Sequence, residues 1–311
     1  MAYATGDNIL DDHYNGFATS VNAVWGAGDG DSGYGQSSVV AAVSTSDSVA
    51  AAQWTTLLAR VTSMKNQQGS SITAYADPQA GDVIQALTAI GTNIATITTN
   101  RLTTAATGSA ISQAVSSSAT FTGTITQTST LTFAGGNEAR YFFNSGGRVS
   151  ASWAVSGGTS DPKYDNWAAL ATACGSYVIY GQTSGKSGGS GSTTTNTTNS
   201  GYYDLGTSAA VVFKQMEDTS PYTASYIELS AHMGSADGTD GLNNNGTVMT
   251  LTSKFVDAAA DSTSFNKNIY NVLDQVDGNK ITTFAATPSG TTYLTATWGT
   301  PAWNNTVNTH T

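Results

Sequence analysis

The chain has 311 residues, of which 39% are apolar and only 10% are charged, and its net charge is −10. Its 11 lysines and arginines form no cluster, which argues against nucleic acid and anionic membrane surfaces as partners. Fourteen tyrosines, nine phenylalanines and six tryptophans are too many for a disordered chain. We therefore expect a folded protein, and its length favours two domains.

The sequence also bears on secretion and on insertion into a membrane. The N-terminus lacks the basic region and the apolar run of a signal peptide, and no apolar run reaches the length of about 18 residues that a membrane span needs. We expect the chain to be made in a cytosol and to reach any other place by a non-secretory route. The single cysteine, Cys174, excludes an intrachain disulfide and is expected to be buried and inert.

Residues 1–110 are predicted to form a helical region for attachment and oligomerisation. Helices are expected near residues 11–25, 47–68 and 79–104, because apolar residues recur at i, i+3, i+4 and i+7. The last of them has a seam spaced 4, 3, 4, 3, without the charges that usually flank a dimeric coil, so it favours packing on the second helix or a trimer core. The expected oligomer or anchor core consists of Trp54, Leu57, Val61, Val83, Leu87, Ile90, Ile94 and Ile97.

Residues 111–118 are predicted to be a small-residue connector, followed by an antiparallel β domain over 119–311. Threonine occupies every second position from Thr120 to Thr132, which indicates a strand with a hydroxyl face and a mainly apolar face. The following stretch predicts two more strands around a turn at Gly146-Gly147. One helix is expected at 162–174, with Pro162 in its first turn and Gly175 after its end.

The remaining β domain is predicted from short alternating runs separated by turn residues. Residues 184–201 are low in complexity and are expected to form an exposed loop. Strands are expected at 208–216, 223–233, 246–257, 280–287 and 291–299, a pattern typical of an antiparallel sandwich or jelly roll. The predicted fold class is α+β, with a helical region followed by a sandwich or jelly-roll-like region, in a trimer.

Two catalytic motifs occur as letters but lack their structural context. The G-x-S-x-G string at Gly185–Gly189 has no helix after it to form a nucleophile elbow. GQTSGKS is one residue short of a P-loop, and no predicted helix presents amides to a phosphate. The histidines, His13, His232 and His310, have no metal-ligand spacing, and the sequence therefore predicts no catalytic residues and no enzyme.

Two weaker kinds of site stay open in the sequence. Tyrosine and tryptophan beside β loops could stack on sugar rings, although packing in the core is the more common use of such residues; the candidates are Tyr202, Tyr203, Tyr222, Trp298 and Trp303. Asp237 and Asp240 lie in an oxygen-rich loop with ligand types that suit Ca²⁺, but tight turns use the same residues. We expect no cofactor, with Ca²⁺ as the alternative.

Two strings carry a resemblance to a known class of proteins. Gly33 to Gln36 (GYGQ) and the A-x-Q-W-x-x-L string from Ala51 to Leu57 resemble the N-terminal region of virion structural proteins from tailed bacteriophages, particularly marine and cyanobacterial ones. EARYFFNSGGRVSASW resembles a segment of phage tail-fibre and related proteins. The resemblance extends to about Trp153 and implies a tail-fibre, collar or neck, or baseplate component located in the virion after assembly in the host cytoplasm.

Three functions follow as hypotheses of different classes. The first is a homotrimeric virion subunit that acts by assembly with other virion proteins and by multivalent host attachment. The second is a lectin-like module that binds a host surface polysaccharide. The third, less favoured, is a glycan-degrading enzyme, which would need paired carboxylates that the sequence does not place together.

Overall fold

The structure is a computed structural model that describes residues 11–45, 47–74, 87–104, 107–234, 246–259 and 276–311. Its α-helices are Asp11–Trp25 (α1), Ala51–Gln68 (α2), Leu87–Thr99 (α3), Gly136–Asn144 (α4) and Pro162–Cys174 (α5). Its strands are Ile111–Ser117 (β1), Thr124–Thr132 (β2), Arg148–Ser156 (β3), Ser176–Ile179 (β4), Ser184–Ser187 (β5), Thr193–Asn196 (β6), Ala210–Met216 (β7), Tyr226–Met233 (β8), Val248–Val256 (β9), Asn279–Thr287 (β10) and Ala302–His310 (β11). All strand pairs are antiparallel, so the predicted α+β class with mostly β content is confirmed.

The chain separates into two compact units that are not continuous in sequence. The first unit comprises Met1–Ser109, Asn137–Gly147 and Pro288–Gly299. The second comprises Ala110–Gly136, Arg148–Thr287 and Thr300–Thr311, and it contains both sheets. Two short segments from the β half of the sequence therefore complete the helical unit, which a single boundary near residue 110 does not foresee.

In the first unit, α1, α2 and α3 pack on one another. Tyr14 meets Trp54 edge to face, with ring centroids 5.3 Å apart, and α2 ends at Gly69 in the left-handed conformation (φ 66°) that glycine adopts without strain. The predicted core residues Trp54, Leu57, Val61, Ile90, Ile94 and Ile97 are all buried inside a single chain. Val83 and the side chain of Leu87 lie outside the described residues.

The helix seam is therefore used for intramolecular packing, one of the two alternatives that its spacing predicted. The described part of α3 also ends at Thr99, earlier than the predicted residue 104. Because the buried seam residues already contact α1 and α2, a trimer would need another surface.

The GYGQ string forms part of the packed interior of the first unit. The Tyr34 hydroxyl donates a hydrogen bond to the Arg101 carbonyl (2.6 Å) and accepts one from Gln68 Nε2 (2.8 Å). The Gln36 side chain accepts the backbone N–H of Thr295 (2.6 Å) and donates to the Tyr34 carbonyl (2.9 Å). These bonds connect the string to the 288–299 segment, so its residues act in folding.

The stretch predicted as strands around Gly146-Gly147 begins instead with helix α4, which is a correction. Ala139, Phe142 and Phe143 are buried at the helical spacing i, i+3, i+4, and the short apolar run suited either period. The Gly147 N–H bonds to the Phe142 carbonyl (2.8 Å) as the helix ends, and β3 follows at Arg148. The stretch therefore contributes buried side chains through a helix rather than through a strand.

The second unit is a sandwich of a five-stranded sheet, β1-β10-β3-β4-β5, and a six-stranded sheet, β11-β2-β9-β8-β7-β6. Strand β2 shows the alternation read from the sequence, with Ile125, Gln127, Ser129 and Leu131 buried and the threonines half-buried. Trp153 of β3 stacks on Phe213 of β7 with ring centroids 5.0 Å apart, which places the two sheets face to face. The predicted antiparallel sandwich is confirmed.

A polar network also lies between the two sheets. Gln127 of β2 donates to the Lys280 carbonyl of β10 (2.8 Å) and accepts from the Thr282 hydroxyl (2.6 Å). Ser253 of β9 accepts from Trp153 Nε1 (2.8 Å). Because unpaired polar groups are costly inside a core, these bonds favour one register between the sheets.

Three further predictions about the chain after residue 110 are wrong in part. The expected connector 111–118 forms β1, and the expected loop 184–201 contains the short strands β5 and β6, because backbone pairing with neighbouring strands outweighs weak local propensity. The expected strand 291–299 is irregular and belongs to the first unit. A strand follows it as β11. The helix expected at 162–174 is present as α5.

Candidate functional site

The five aromatic residues proposed for sugar stacking do not form an exposed platform. Tyr202, Tyr203, Tyr222 and Trp298 are at most 6% exposed, so the expectation of exposed aromatics is wrong for these four. Trp303 is half-buried, and its Nε1 donates to the Ile111 carbonyl (2.8 Å). Large aromatic surfaces stabilise a fold most when they are buried, which explains why these loop-flanking rings turn inward.

The candidate metal ligands Asp237 and Asp240 lie outside the described residues. Among the residues that the structure does describe, no three His, Cys, Asp or Glu side chains are grouped so as to hold a metal ion. The Gly- and Asp-rich loop at 26–36 is described, and there the Asp31 carboxylate pairs with Arg101 (2.6 Å). Its backbone carbonyls accept from Arg140, which donates to the Gly30 carbonyl at 2.7 Å.

A cleft of about 370 Å³ lies in the second unit beside α5. Its walls are Ala169, Leu170, Ala173, Ser190, Gly191, Ser192, Gln215, Met216, Glu217, Asp218 and Thr219. Lys186 supports one wall, because its Nζ donates to the Gln215 side chain (2.7 Å) and to the Ser190 carbonyl (2.8 Å). The polar lining suits a small ligand rich in hydroxyl groups.

The electrostatics of this cleft are dominated by one carboxyl group. Burial raises the pKa of Glu217 above its ordinary value of 4.5, and hydrogen bonds from Thr219 and Asp218 act in the opposite direction. Burial also raises the pKa of the nearby Cys174 thiol to about 12, so the predicted inert cysteine is buried and protonated at neutral pH. The carboxyl groups of Glu217 and the adjacent Asp218 offer acceptors for hydroxyl groups.

A different candidate surface is the free edge of the six-stranded sheet. Strand β11 is nine residues long, pairs with β2 on one side, and has no strand on its other side in the part of the chain that the structure describes. Between Ala302 and Thr309 it carries no charged side chain, and Val307 is 47% exposed. Native edge strands usually carry charges, prolines or bulges that block pairing with another chain, and here one irregularity between Asn304 and Val307 is the only such feature.

The register shows which backbone groups of β11 are open. Thr311 and Thr124 exchange both backbone hydrogen bonds (3.0 and 2.9 Å), so the alternation of an antiparallel ladder turns the N–H groups of Thr309 and Val307 toward β2. The backbone groups of Asn308 and His310 then face outward. An incoming strand would find donors and acceptors there in the correct alternation.

The two side edges of the sandwich are built differently. At one edge β5 and β6 are four residues each, and Lys186 of β5 bonds across to Gln215. At the other, β11 lies next to β1, and the Asn308 side chain donates to the Ser116 carbonyl (2.8 Å). The second edge is longer and nearly uncharged, which makes it the more suitable surface for strand addition.

Comparison with protein-family models, with curated proteins and with solved structures finds no match for this chain. None of the described helices is both long and apolar enough to cross a membrane. The function of the chain is therefore inferred from the geometry above and from the resemblance in the sequence.

Proposed function

We propose that this chain is a structural component of a phage virion, in the tail fibre, the collar or neck, or the baseplate, and that it acts by assembly rather than by catalysis. The observation that carries the proposal is the open, nearly uncharged edge of β11. The resemblance of the GYGQ and A-x-Q-W-x-x-L strings to phage virion proteins supports it. The partners of the chain would be other virion proteins and a host surface polysaccharide.

In this proposal the open edge of β11 in one copy pairs with a strand from a different surface of the neighbouring copy, so the contact is head to tail. A head-to-tail contact repeated three times closes a ring, which gives the homotrimer expected from the resemblance. Main-chain hydrogen bonds supply the affinity of such a contact, and side chains of alternate residues set its register. Several copies on one particle then raise avidity for a host surface even where each copy binds weakly.

The oligomeric contact is tested by sedimentation of the full chain and of two matched variants. Val307→Lys adds a charge to the free edge, whereas Val39→Lys adds the same charge at a valine of similar exposure (50% against 47%) in the first unit. We expect a trimer for the unmodified chain and for Val39→Lys, and a shift toward monomer for Val307→Lys. A monomeric unmodified chain, or equal behaviour of both variants, would contradict the role of β11.

The location in the virion is tested by negative-stain imaging of particles with an antibody against this chain. We expect label at a fixed position on the tail, neck or baseplate. Label confined to material that is not attached to particles would overturn the virion assignment. This outcome is independent of the sedimentation result, so failure of the edge contact and failure of the virion assignment can be told apart.

Carbohydrate binding is the second candidate, and the observation that favours it is the polar cleft beside α5. Glu217, Asp218 and Gln215 provide acceptors for sugar hydroxyls, but none of the described side chains that line the cleft is aromatic. We expect a glycan array to show binding that is lost in a Glu217→Gln, Asp218→Asn double variant. Binding that persists in this variant would place any sugar site elsewhere.

A further inference from the structure

Two oppositely charged side chains meet in the interior of the sandwich unit. Lys163 lies in the first turn of α5, directly after Pro162, and Asp257 follows the last residue of β9. Lys163 Nζ is 2.6 Å from Asp257 Oδ2, and each side chain is only 2% exposed. The ends of α5 and β9 are thus joined through a contact that water hardly reaches.

Three buried aromatic rings pack together on the elements that carry this contact. Trp167, one helical turn after Lys163, packs against Phe121 and Phe255, with ring centroids 5.5 and 6.0 Å apart. Phe255 lies two residues before Asp257, and side chains two positions apart in an extended strand point to the same face. Trp167 Nε1 is buried without a hydrogen-bond partner in the described part of the chain. The pair therefore sits in an apolar and dry environment.

The hydrogen bonding of the pair is incomplete on the lysine side. The Ser225 hydroxyl donates to Asp257 Oδ1 (3.1 Å), so both carboxylate oxygens have partners. An ammonium group has three N–H donors, but within the described residues Oδ2 is the only partner of Lys163 Nζ. A buried ammonium with unmet donors is costly, and a buried ion pair often stabilises a fold less than an uncharged replacement.

From this geometry we propose that Lys163 and Asp257 form an intramolecular amide bond between Lys163 Nζ and Asp257 Cγ. An amide removes both buried charges and leaves a single N–H donor in place of three. Because Cγ is bonded to Oδ2, it is also close to Nζ, and the fold holds the two reacting groups together as an intramolecular reaction requires. The inference does not depend on the assembly proposed above.

The reaction balances without any further reagent. One proton passes from the ammonium along the short contact to Oδ2, which leaves an amine and a carboxylic acid. The amine nitrogen attacks Cγ, and the negative charge that develops on Oδ1 accepts the hydrogen bond from Ser225. A second proton moves from nitrogen to Oδ2, the Cγ–Oδ2 bond breaks, and one water molecule leaves as the amide forms.

Several other carboxyl groups in this part of the unit have hydrogen-bond partners of their own. Glu217 follows β7, two strands away from β9 in the sheet, and its Oε1 accepts the backbone N–H groups of Asp218 and Thr219. On α5 itself, Asp161 accepts the Tyr164 N–H as the helix cap, and Asp165 accepts the Ser160 hydroxyl. The proton transfers are therefore assigned to Lys163 and Asp257 themselves, with Ser225 as the positioning residue.

The test is the intact mass of the full chain after denaturation, compared with the same measurement on Lys163→Arg. Arginine keeps the positive charge but cannot form this amide. We expect the unmodified chain to be lighter than its sequence mass by one water molecule, and the variant to have its full sequence mass. Trypsin should then fail to cut after Lys163 and release one branched peptide that joins residues 149–186 to residues 255–267.

Three outcomes would overturn the proposal. The first is an unmodified chain with its full sequence mass, which would show a simple ion pair. The second is a water loss that persists in Lys163→Arg, and the third is one that maps to an Asp-Gly pair such as Asp277-Gly278 rather than to the branched peptide. If Lys163→Arg does not fold, the mass and the branched peptide of the unmodified chain still decide the question.

Discussion

Two lysines are buried in the described part of the sandwich unit, and they are accommodated in opposite ways. Lys280 is 0% exposed, and its Nζ lies within hydrogen-bonding distance of the carbonyls of Ala119 (2.7 Å), Val276 (3.1 Å), Asp277 (3.4 Å) and Gly278 (2.7 Å). Lys163 is equally hidden but has one carboxylate oxygen as its partner. The first site satisfies a cation completely, whereas the second leaves it with unmet donors.

Lys280 shows that this fold can build a full set of acceptors for a buried cation. Arg140 in the first unit shows the same solution, because its guanidinium donates to the carbonyls of Gly30, Ala27 and Gly28. Lys163 is the exception among these three buried cations. The difference is explained if Lys163 is not a cation in the mature protein but one half of an amide.

The largest expected effect comes from replacing the Lys163–Asp257 pair by apolar residues, as in Lys163→Met with Asp257→Leu. Loss of a crosslink that closes the loop from 163 to 257 should lower the free energy of unfolding by about 4–5 kcal/mol, by analogy with a disulfide of similar span. A simple buried ion pair predicts the opposite, since such pairs can be replaced without loss or with a gain of about 1–4 kcal/mol. Urea unfolding distinguishes the two, provided that circular dichroism shows the variant to be folded.

The next largest effect is expected at Lys280. Lys280→Met keeps most of the side-chain length but removes the donor shared by four buried or partly buried carbonyls, so we expect a loss of about 3 kcal/mol in the free energy of unfolding. Lys214→Met, at a half-buried lysine over the Tyr226 ring, is the control and should cost less than about 1 kcal/mol. Equal losses in urea unfolding would show that the carbonyl cage contributes nothing specific.

The pH dependence of stability should also separate the two lysines. Burial lowers the pKa of Lys280 to about 8 from its ordinary value of 10.5, while Asp277 acts in the opposite direction. Between pH 8 and 10.5 the unfolded chain then binds more protons at this residue than the folded chain, so the contribution of Lys280 to stability rises with pH, by at most about 1.4 kcal/mol per pH unit.

Urea unfolding across this pH window measures the effect. The slope should disappear in Lys280→Met and persist in Lys163→Arg, because neither the amide of the unmodified chain nor the arginine of the variant titrates between pH 8 and 10.5. A slope that is unchanged in Lys280→Met would assign the pH dependence to other groups.

The smallest effect is expected for Ser225→Ala, which removes the hydrogen bond to Asp257 Oδ1. We expect a loss of about 1 kcal/mol in the free energy of unfolding. The fraction of chains that lack one water molecule should also be lower shortly after folding and should rise with time, since Ser225 stabilises the charge that develops on Oδ1. An intact-mass time course checks this, and a fraction equal to that of the unmodified chain would remove Ser225 from the reaction.

Much of the local structure follows from patterns in the sequence. The helical stripe of Trp54, Leu57 and Val61, the glycine after α2 and the alternation of β2 are dictated by side-chain periodicity and by backbone freedom at Gly69, which act over a few residues. The secondary-structure predictions were wrong where a pattern was short or polar. The run at α4 fits two periods, and β11 carries no apolar alternation because it is an exposed edge.

The candidate surfaces depended on tertiary structure to a much greater degree. The aromatic residues chosen for sugar stacking turned inward, because burial of a large ring is decided by which segments fold over it and not by its neighbours in sequence. The unpaired edge of β11 could not be predicted from its residues, since an edge strand is defined by the absence of a neighbouring strand. Its lack of charge from Ala302 to Thr309 was the one signal available.

Composition and periodicity, which act over the whole chain or over a few residues, were sufficient to predict the α+β class, the helices before residue 110 and the buried position of Cys174. The packing of the complete fold was needed to show that the segments 137–147 and 288–299 join the first unit, and that Lys163 meets Asp257 across 94 positions of sequence. Contacts between distant residues are selected by the packing of complete sheets and helices, and no short pattern encodes them. That is the reason the pair proposed for crosslinking carried no mark in the sequence.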